Sequence, residues 1–169
     1  MSFINLIWAN SAEITQSQAL EIAGKTKEVQ TFLEYYGDCA GCNPSYSIGK
    51  TSLIGCVEYK IDYDSVKDEW VVEYWVSDAC SFRYGDAPSR TKILISISKK
   101  TGQISSREPE FKYIEDTTYC KNDSDCLCLH GFGVFFLRCA NTFHGHTSFT
   151  GSYQCDECNC INNACKKND

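Results

Sequence analysis

The chain has 169 residues, of which 43% are hydrophobic and 22% are charged, and its 22 acidic and 16 basic residues give a formal net charge of −6. The hydrophobic content argues against a disordered chain. An acidic balance without a basic block argues against binding to nucleic acid through phosphates. No apolar run approaches the roughly 18 residues that a membrane-spanning helix needs. We therefore expect a folded protein with no membrane span and no nucleic-acid partner.

Cysteine dominates the composition, with 12 residues, an even number. Two interpretations are open: six disulfides formed in an oxidising environment, or structural zinc sites with four nitrogen or sulfur ligands each. The spacings mostly fail zinc templates, so we predict oxidised cysteines, no cofactor and an extracellular or cell-surface location. The predicted disulfide residues are Cys39, Cys42, Cys56, Cys80, Cys120, Cys126, Cys128, Cys139, Cys155, Cys158, Cys160 and Cys165.

The cysteines are distributed unevenly, with four in residues 1–116 and eight in residues 117–169. A module of about 50 residues has too little core to fold without cross-links. We therefore predict an N-terminal apolar segment over residues 1–13, an α+β domain over residues 14–116 and a disulfide-rich module over residues 117–169. Because both cysteine counts are even, we expect no disulfide between the first four cysteines and the last eight.

The α+β domain begins with a helical pattern. Thr15 and Gln18 form a capping-box start, Gly24 is expected to kink or split the helix, and Gly37 is a plausible stop. The apolar stripe, which we interpret as core packing, comprises Ala19, Ile22, Ala23, Thr26, Val29, Leu33 and Tyr36.

An antiparallel sheet is predicted to follow the helix. Residues 53–63 and 69–77 are rich in β-branched and aromatic side chains, which predicts a hairpin around a polar turn. A third strand over residues 91–98 runs into a turn in which Gly102 takes the position that needs a positive φ, and a fourth short strand starts at Gln103. The predicted fold class is therefore α+β, with a helix packed on an antiparallel sheet and a small disulfide-rich module after it.

The aromatic side chains on and after the second strand are a candidate sugar- or partner-binding face. They are Trp70, Tyr74, Trp75, Phe82 and Tyr84. Strand alternation places Trp70 and Tyr74 on one face and Trp75 on the other. One face must be core, so at least one of Tyr74 and Trp75 is expected on an outer surface or under another element.

The order of helix, hairpin, strand, Thr-Gly turn and strand resembles the PepSY and cystatin-like α+β architecture of secreted proteins. The residues that carry this resemblance are ALEIA (19–23), EWVVEY (69–74) and ISISKKTGQI (95–104). The resemblance implies a sheet wrapped on a helix. It implies no particular activity, since this architecture serves inhibitors, binding modules and structural subunits.

The second part resembles the small eight-cysteine modules of secreted bacterial and archaeal proteins. The resemblance is carried by YCKNDSDCLC (119–128) and CNCINNAC (158–165). It implies four internal disulfides in the module, with the pairing left open, and it carries no catalytic residues onto this chain.

Three patterns could hold chemistry. Cys39 and Cys42 form a C-x-x-C motif, but they follow a helix C-terminus, whereas a reactive thiol needs the N-terminus, so we favour disulfides to Cys56 and Cys80 or a direct bridge. His144 and His146, with His130 upstream, are interpreted as loop histidines rather than metal ligands.

The third pattern is the oxygen cluster Asn122, Asp123 and Asp125. It lacks the glycine and the distal glutamate of a Ca²⁺ loop, so we interpret it as a solvated turn. Asn122 also begins a glycosylation sequon, Asn122-Asp123-Ser124, and a glycan there is a candidate modification.

The N-terminal apolar run consists of Phe3, Ile4, Leu6, Ile7 and Trp8. It could be the end of a secretion signal, fold back onto its own sheet, or be donated as a strand to a neighbouring copy. We expect donation, and so predict a non-enzymatic extracellular structural protein that forms a filament or similar assembly with itself. The alternatives are a monomeric secreted binding module such as a peptidase inhibitor and, third, a thiol–disulfide oxidoreductase using Cys39 and Cys42.

Overall fold

The structure is a computed structural model, and it describes residues 13–37, 52–78, 91–130, 136–145, 152–153 and 156–168. In these residues, two helices pack on an antiparallel sheet, and small disulfide-bonded strand segments follow. The predicted α+β fold class with a disulfide-rich module is confirmed. In these segments, no helix combines the length and hydrophobicity needed to cross a membrane.

The predicted helix is split in two, as Gly24 suggests. Helix α1 spans Gln16–Gly24 and helix α2 spans Lys27–Tyr36. The predicted capping box starts α1: the Thr15 hydroxyl accepts from the Gln18 amide, and the Gln18 side chain accepts from the Thr15 amide. This arrangement satisfies two of the amide donors that a helix start leaves without partners.

Thr26 joins the two helices. Its hydroxyl donates to the Ala23 carbonyl at the end of α1 and accepts from the Val29 amide at the start of α2. One side chain therefore closes one helix and caps the next. Gly37 ends α2, as predicted. Its φ of −73° lies in the right-handed helical region, so it does not use the left-handed conformation with which glycine often ends a helix.

Within the described residues, the sheet has five antiparallel strands in the order of the sequence. They are β1 (Ser52–Ile54), β2 (Val57–Asp64), β3 (Glu69–Val76), β4 (Lys92–Ser98) and β5 (Ile104–Glu108). The sequence prediction of one strand over residues 53–63 is wrong, because the chain reverses at Gly55 and Cys56 to pair Ile54 with Val57.

The helices cover one face of the sheet. Val72, Tyr74 and Val76 of β3 lie on that face, and each is at most 2% exposed. Burial of the Tyr74 side chain is the main cause that raises its pKa to about 12. Trp75, half-buried, lies on the opposite face, so strand alternation predicts the placement of both aromatic residues.

The β4–β5 turn anchors the start of α1. Gly102 has the predicted positive φ, +70°, and Ile14 and Ile22 pack against it. The Ile14 amide donates to the Lys99 carbonyl at 2.8 Å, and the Trp70 indole donates to the Ile14 carbonyl at 3.1 Å. The residues that precede α1 therefore lie beside the turn that leads into β5.

Two short helices, a 3₁₀ turn and a set of small strands complete the described chain. They are α3 (Phe111–Glu115), a 3₁₀ turn (Asp123–Asp125), β6 (Cys126–His130), β7 (Phe136–Asn141), α4 (Thr142–Gly145), β8 (Ser152–Tyr153), β9 (Cys158–Ile161) and β10 (Ala164–Lys167). Strands β7, β6 and β8 form one sheet in that order, and β9 and β10 form a hairpin. Neither α3 nor α4 was predicted from the sequence.

The two parts share a hydrophobic core. Phe143 of α4 is 8% exposed and belongs to the same cluster as the sheet and helix residues. Its ring centroid lies 6.0 Å from that of Phe32 in α2. The cysteine-rich segment therefore contributes a side chain to the core of the α+β part.

Candidate functional site

Three disulfides between described residues cross-link the cysteine-rich part. They join Cys120 to Cys160, Cys126 to Cys165 and Cys139 to Cys158. Cys128 is also disulfide-bonded, and its sulfur lies 3.3 Å from that of Cys158. The core cluster in the described part of this segment consists of cysteines, so the cross-links replace an ordinary apolar core.

The β9–β10 hairpin presents three of these cysteines. Asn162 and Asn163 form its two-residue turn with φ angles of +54° and +58°, the conformation of a type I′ turn. Cys160 lies opposite Cys165 across the hairpin. Asparagine tolerates a positive φ, so the Asn-Asn pair is a local signal from which this hairpin turn could have been predicted.

The cysteine cluster does not form a zinc site. The sulfurs of Cys120, Cys126 and Cys165 lie within 4.8 Å of one another. However, Cys126 is bonded to Cys165 and Cys120 to Cys160. Zinc binds the thiolate, and a sulfur in a disulfide offers none.

The predicted disulfides of the first part fall largely outside the described residues. Cys56 is buried and disulfide-bonded. Cys39, Cys42, Cys80 and Cys155 lie outside those segments themselves, as do the apolar run, His146, Phe82 and Tyr84. The expectation that no disulfide connects the two parts stays a prediction.

The oxygen cluster that follows Cys120 has a structural role. The Asp125 carboxylate accepts from the Tyr113 hydroxyl at 2.7 Å, from the Lys121 amide at 2.8 Å and from the Asn122 amide at 3.0 Å. Burial raises the pKa of Asp125, but these hydrogen bonds outweigh it and hold the pKa below its usual value. Asn122 itself is exposed, which leaves the sequon accessible.

His144 is not a loop histidine, and this prediction is wrong. It lies on α4, is 8% exposed, and uses both ring nitrogens: Nδ1 is 2.7 Å from the Tyr36 hydroxyl and Nε2 is 2.9 Å from the Ile114 carbonyl oxygen. The physical reason is that Phe143 draws the short helix into the shared core. Partners at both nitrogens also argue against a metal-ligand role.

Asn141 fixes α4 in place, a role that was not predicted from the sequence. Its side chain is 0% exposed; the amide donates to the Tyr113 carbonyl at 3.1 Å and to the Asp116 carbonyl at 2.8 Å, and the oxygen accepts from the His144 amide at 3.0 Å. One buried asparagine thus satisfies carbonyls at the end of α3 and caps the start of α4. Nothing in the local sequence distinguishes this residue.

The edge of the sheet at β5 is a candidate surface for binding another chain. In the described segments, β5 pairs with β4 alone, and all of its residues but the half-buried Ile104 are exposed. An edge strand of this kind offers unpaired backbone groups to an incoming strand. Natural proteins use this mode to bind extended peptides.

A groove of about 590 Å³ runs beside this edge. Its lining consists of Ile22, Lys25, Thr26, Lys27, Glu28, Ile104 and Arg107. Ile104 and Arg107 face Ile97 and Ile95 of β4 and so lie on the helix side of the sheet. A strand added to β5 would therefore direct alternate side chains into the groove.

Charge and an irregular register limit what the groove accepts. Arg107 Nε lies 3.3 Å from the Glu28 carboxylate, whose side chain is 9% exposed. Lys25 is paired with Glu21 at 2.5 Å. The β4–β5 register also shifts at Ser96 and Ile97. Bulges and charges of this kind protect sheet edges from indiscriminate pairing, so we expect β5 to select its partner strand.

Comparison of the chain with protein-family models, curated proteins and solved structures found no match.

Proposed function

We propose that this protein is an extracellular structural subunit that assembles with copies of itself, and that the apolar run Phe3 to Trp8 of one copy adds to the β5 edge of the next. The open β5 edge beside the groove carries this proposal. The disulfides support the extracellular part of it, because such bonds persist in oxidising compartments. The proposed role is non-enzymatic.

The dimensions of donor and acceptor support the pairing. A strand rises about 3.3 Å per residue, so the six residues of the run extend to about 20 Å and the five of β5 to about 17 Å. In an extended run, Ile4, Leu6 and Trp8 share one face. That face meets the apolar floor of the groove, Ile22 and Ile104, in the proposed complex.

The position of Ile14 favours one alternative, a monomer in which the run pairs with β5 of its own chain. Ile14 lies at the β4–β5 turn, and β5 leads away from that turn. A run that ends near the turn pairs with this strand in antiparallel fashion. The β5 edge would then be covered by the run of the same chain, and the protein would act as a monomeric binding module, such as a peptidase inhibitor, through its other surfaces.

The decisive experiment compares two single substitutions in the same N-terminal segment. Leu6→Asp places a charge in the proposed donor strand, and Ser11→Asp adds the same charge outside it. We expect size-exclusion chromatography with light scattering to show polymers for the intact protein and Ser11→Asp, and folded monomers for Leu6→Asp and for a chain without residues 1–10.

Polymers of unchanged size from Leu6→Asp would contradict strand donation. A monomeric intact protein at high concentration would favour the fold-back alternative. A thiol titration distinguishes a structural protein from the third candidate, a thiol–disulfide oxidoreductase. A cycling oxidoreductase exposes two thiols on mild reduction, whereas structural disulfides resist reduction.

A further inference from the structure

His144 occupies the junction of three helices. Its ring is hydrogen-bonded to Tyr36 of α2 and to the backbone of α3 at Ile114, while its own backbone belongs to α4. The rings of Tyr35 and Phe143 pack against it edge-on, with centroids 5.2 Å and 5.0 Å away. One imidazole therefore links the cysteine-rich part to the helices that cover the sheet.

The hydrogen bonds define which nitrogen carries the proton. A carbonyl oxygen only accepts, so Nε2 is protonated and donates to Ile114. Nδ1 then carries the lone pair and accepts from the Tyr36 hydroxyl. A second proton on Nδ1 would force the Tyr36 hydroxyl to turn from donor to acceptor, and would place a charge on a ring that is 8% exposed.

We propose that α4 is an acid-sensitive clasp, in which protonation of His144 places a charge at this buried junction and loosens the cysteine-rich part from the α+β part. The proposal does not depend on self-assembly. It rests on the geometry of a junction in which the neutral ring joins two parts of the chain across a shared core.

The charges around the ring are few in the described residues. Tyr35 and Tyr36 face it from α2, Asp116 follows α3, and Arg138 comes from β7. Burial lowers the pKa of His144 first, and Arg138 lowers it further. The carbonyls of Ile114 and Tyr113 and the charge of Asp116 oppose this shift without reversing it.

The sign of the pH effect follows from this direction. The pKa in the folded protein lies below the value of about 6.5 for an unperturbed histidine. The stabilisation is therefore complete above about pH 6.5 and is lost as the pH falls through the lower, folded-state pKa. Between the two values, the opening of α4 should become up to about tenfold more favourable per pH unit.

Hydrogen exchange of the full-length, disulfide-intact protein tests the clasp. We expect the protection of residues 136–145 to fall as the pH drops below about 6.5, while that of β3 and β4 stays constant. The rate of exchange at the C2 carbon of the ring, measured against pH by mass spectrometry, gives the pKa of His144 in the same sample.

Two variants and a control identify the responsible group. His144→Gln keeps a donor and an acceptor but cannot titrate, and should protect residues 136–145 equally at all pH values. Tyr36→Phe removes the donor to Nδ1 and should move the transition to higher pH. His146→Gln, the control, should behave as the natural chain.

Loss of protection that persists in His144→Gln would overturn the proposal. If His144→Gln does not fold, the natural chain decides alone: a His144 pKa at or above 6.5, or protection of residues 136–145 that does not follow the His144 titration, would also overturn it.

Discussion

Two glycines with positive φ angles place different demands on the chain. Gly55 has φ +62°, and a β-carbon there would lie 1.6 Å from the carbonyl oxygen of Gly37. Gly102 has φ +70°, and its nearest neighbour would be a side-chain methyl of Ile14 at 3.3 Å. A backbone oxygen at the end of a helix cannot move away, whereas a side chain can.

We therefore predict that Gly55→Ala destabilises the protein by more than about 3 kcal/mol, the upper range for a strained backbone position. Gly102→Ala should cost about 1–2 kcal/mol, the penalty for the left-handed conformation alone. Chemical denaturation of both variants measures the difference. Equal free energies of unfolding would show that the α2 terminus does not lie against the β1–β2 turn.

The glycines also show what local sequence predicts at this scale. The positive φ of Gly102 could be predicted from the Lys-Lys-Thr-Gly turn before a strand. The role of Gly55 could not, because the constraint comes from Gly37, which lies 18 positions earlier in the chain. Thr15 and Gln18 were predictable because their partners are three residues apart, whereas Asn141 binds carbonyls 25 and 28 residues away.

The disulfide-bonded hairpin β9–β10 and the sheet β2–β4 draw their stability from different sources. The hairpin packs through cysteines, whereas the sheet packs through Val72, Ile93 and Ile95, all 0% exposed. A small module whose core cluster consists of cysteines depends on its cross-links, each of which contributes about 2–5 kcal/mol.

Complete reduction should therefore unfold residues 117–169 and leave the sheet folded, although less stable because Phe143 leaves the shared core. We expect circular dichroism to retain the helical and strand signals of the α+β part, and hydrogen exchange to show full labelling of β9 and β10 in the same sample. A single cooperative loss of all secondary structure on reduction would contradict this prediction. Alkylation without a reductant is the control for the handling of the sample.

For the helices and strands, the hydrophobic periodicity of the sequence predicted the type of each element better than its end points. The helical stripe and the alternation of β3 and β4 follow from patterns that one face of the core imposes. The break between β1 and β2, and the short helices α3 and α4, carry no such pattern. They depend on a turn and on docking contacts that form only when distant segments meet.

Phe143 couples the two parts of the whole molecule. It belongs to the cysteine-rich sequence but packs against Phe32 at 6.0 Å in the core of the α+β part. The Thr91 hydroxyl, from the residue before β4, donates to the Phe143 carbonyl at 3.0 Å. Loss of the Phe143 ring should therefore destabilise the sheet of the α+β part in addition to the cysteine-rich part.

We predict that Phe143→Ala lowers the free energy of unfolding of the α+β part by about 3–5 kcal/mol, the usual cost of removing a buried aromatic ring. Trp70 and Trp75 lie in β3, and none of the three tryptophans lies in the cysteine-rich part, so tryptophan fluorescence follows the unfolding of the sheet and not that of the cysteine-rich part. Phe111→Ala, which removes a half-buried ring outside the shared core, is the matched control. An unchanged fluorescence transition in Phe143→Ala would show that the parts are independent.

The sequence by itself determined the α+β class, the cysteine-rich character of the second part, the helix start at Thr15 and the turn at Gly102. Each of these follows from composition or from residues close together in the chain, where the physical cause is local. The tertiary structure alone decided that Phe143, His144 and Asn141 join the two parts, and that β5 forms an open edge beside a groove. Those features depend on contacts between segments tens of residues apart, whose position is set by the packing of the shared core and not by any pattern in the segments themselves.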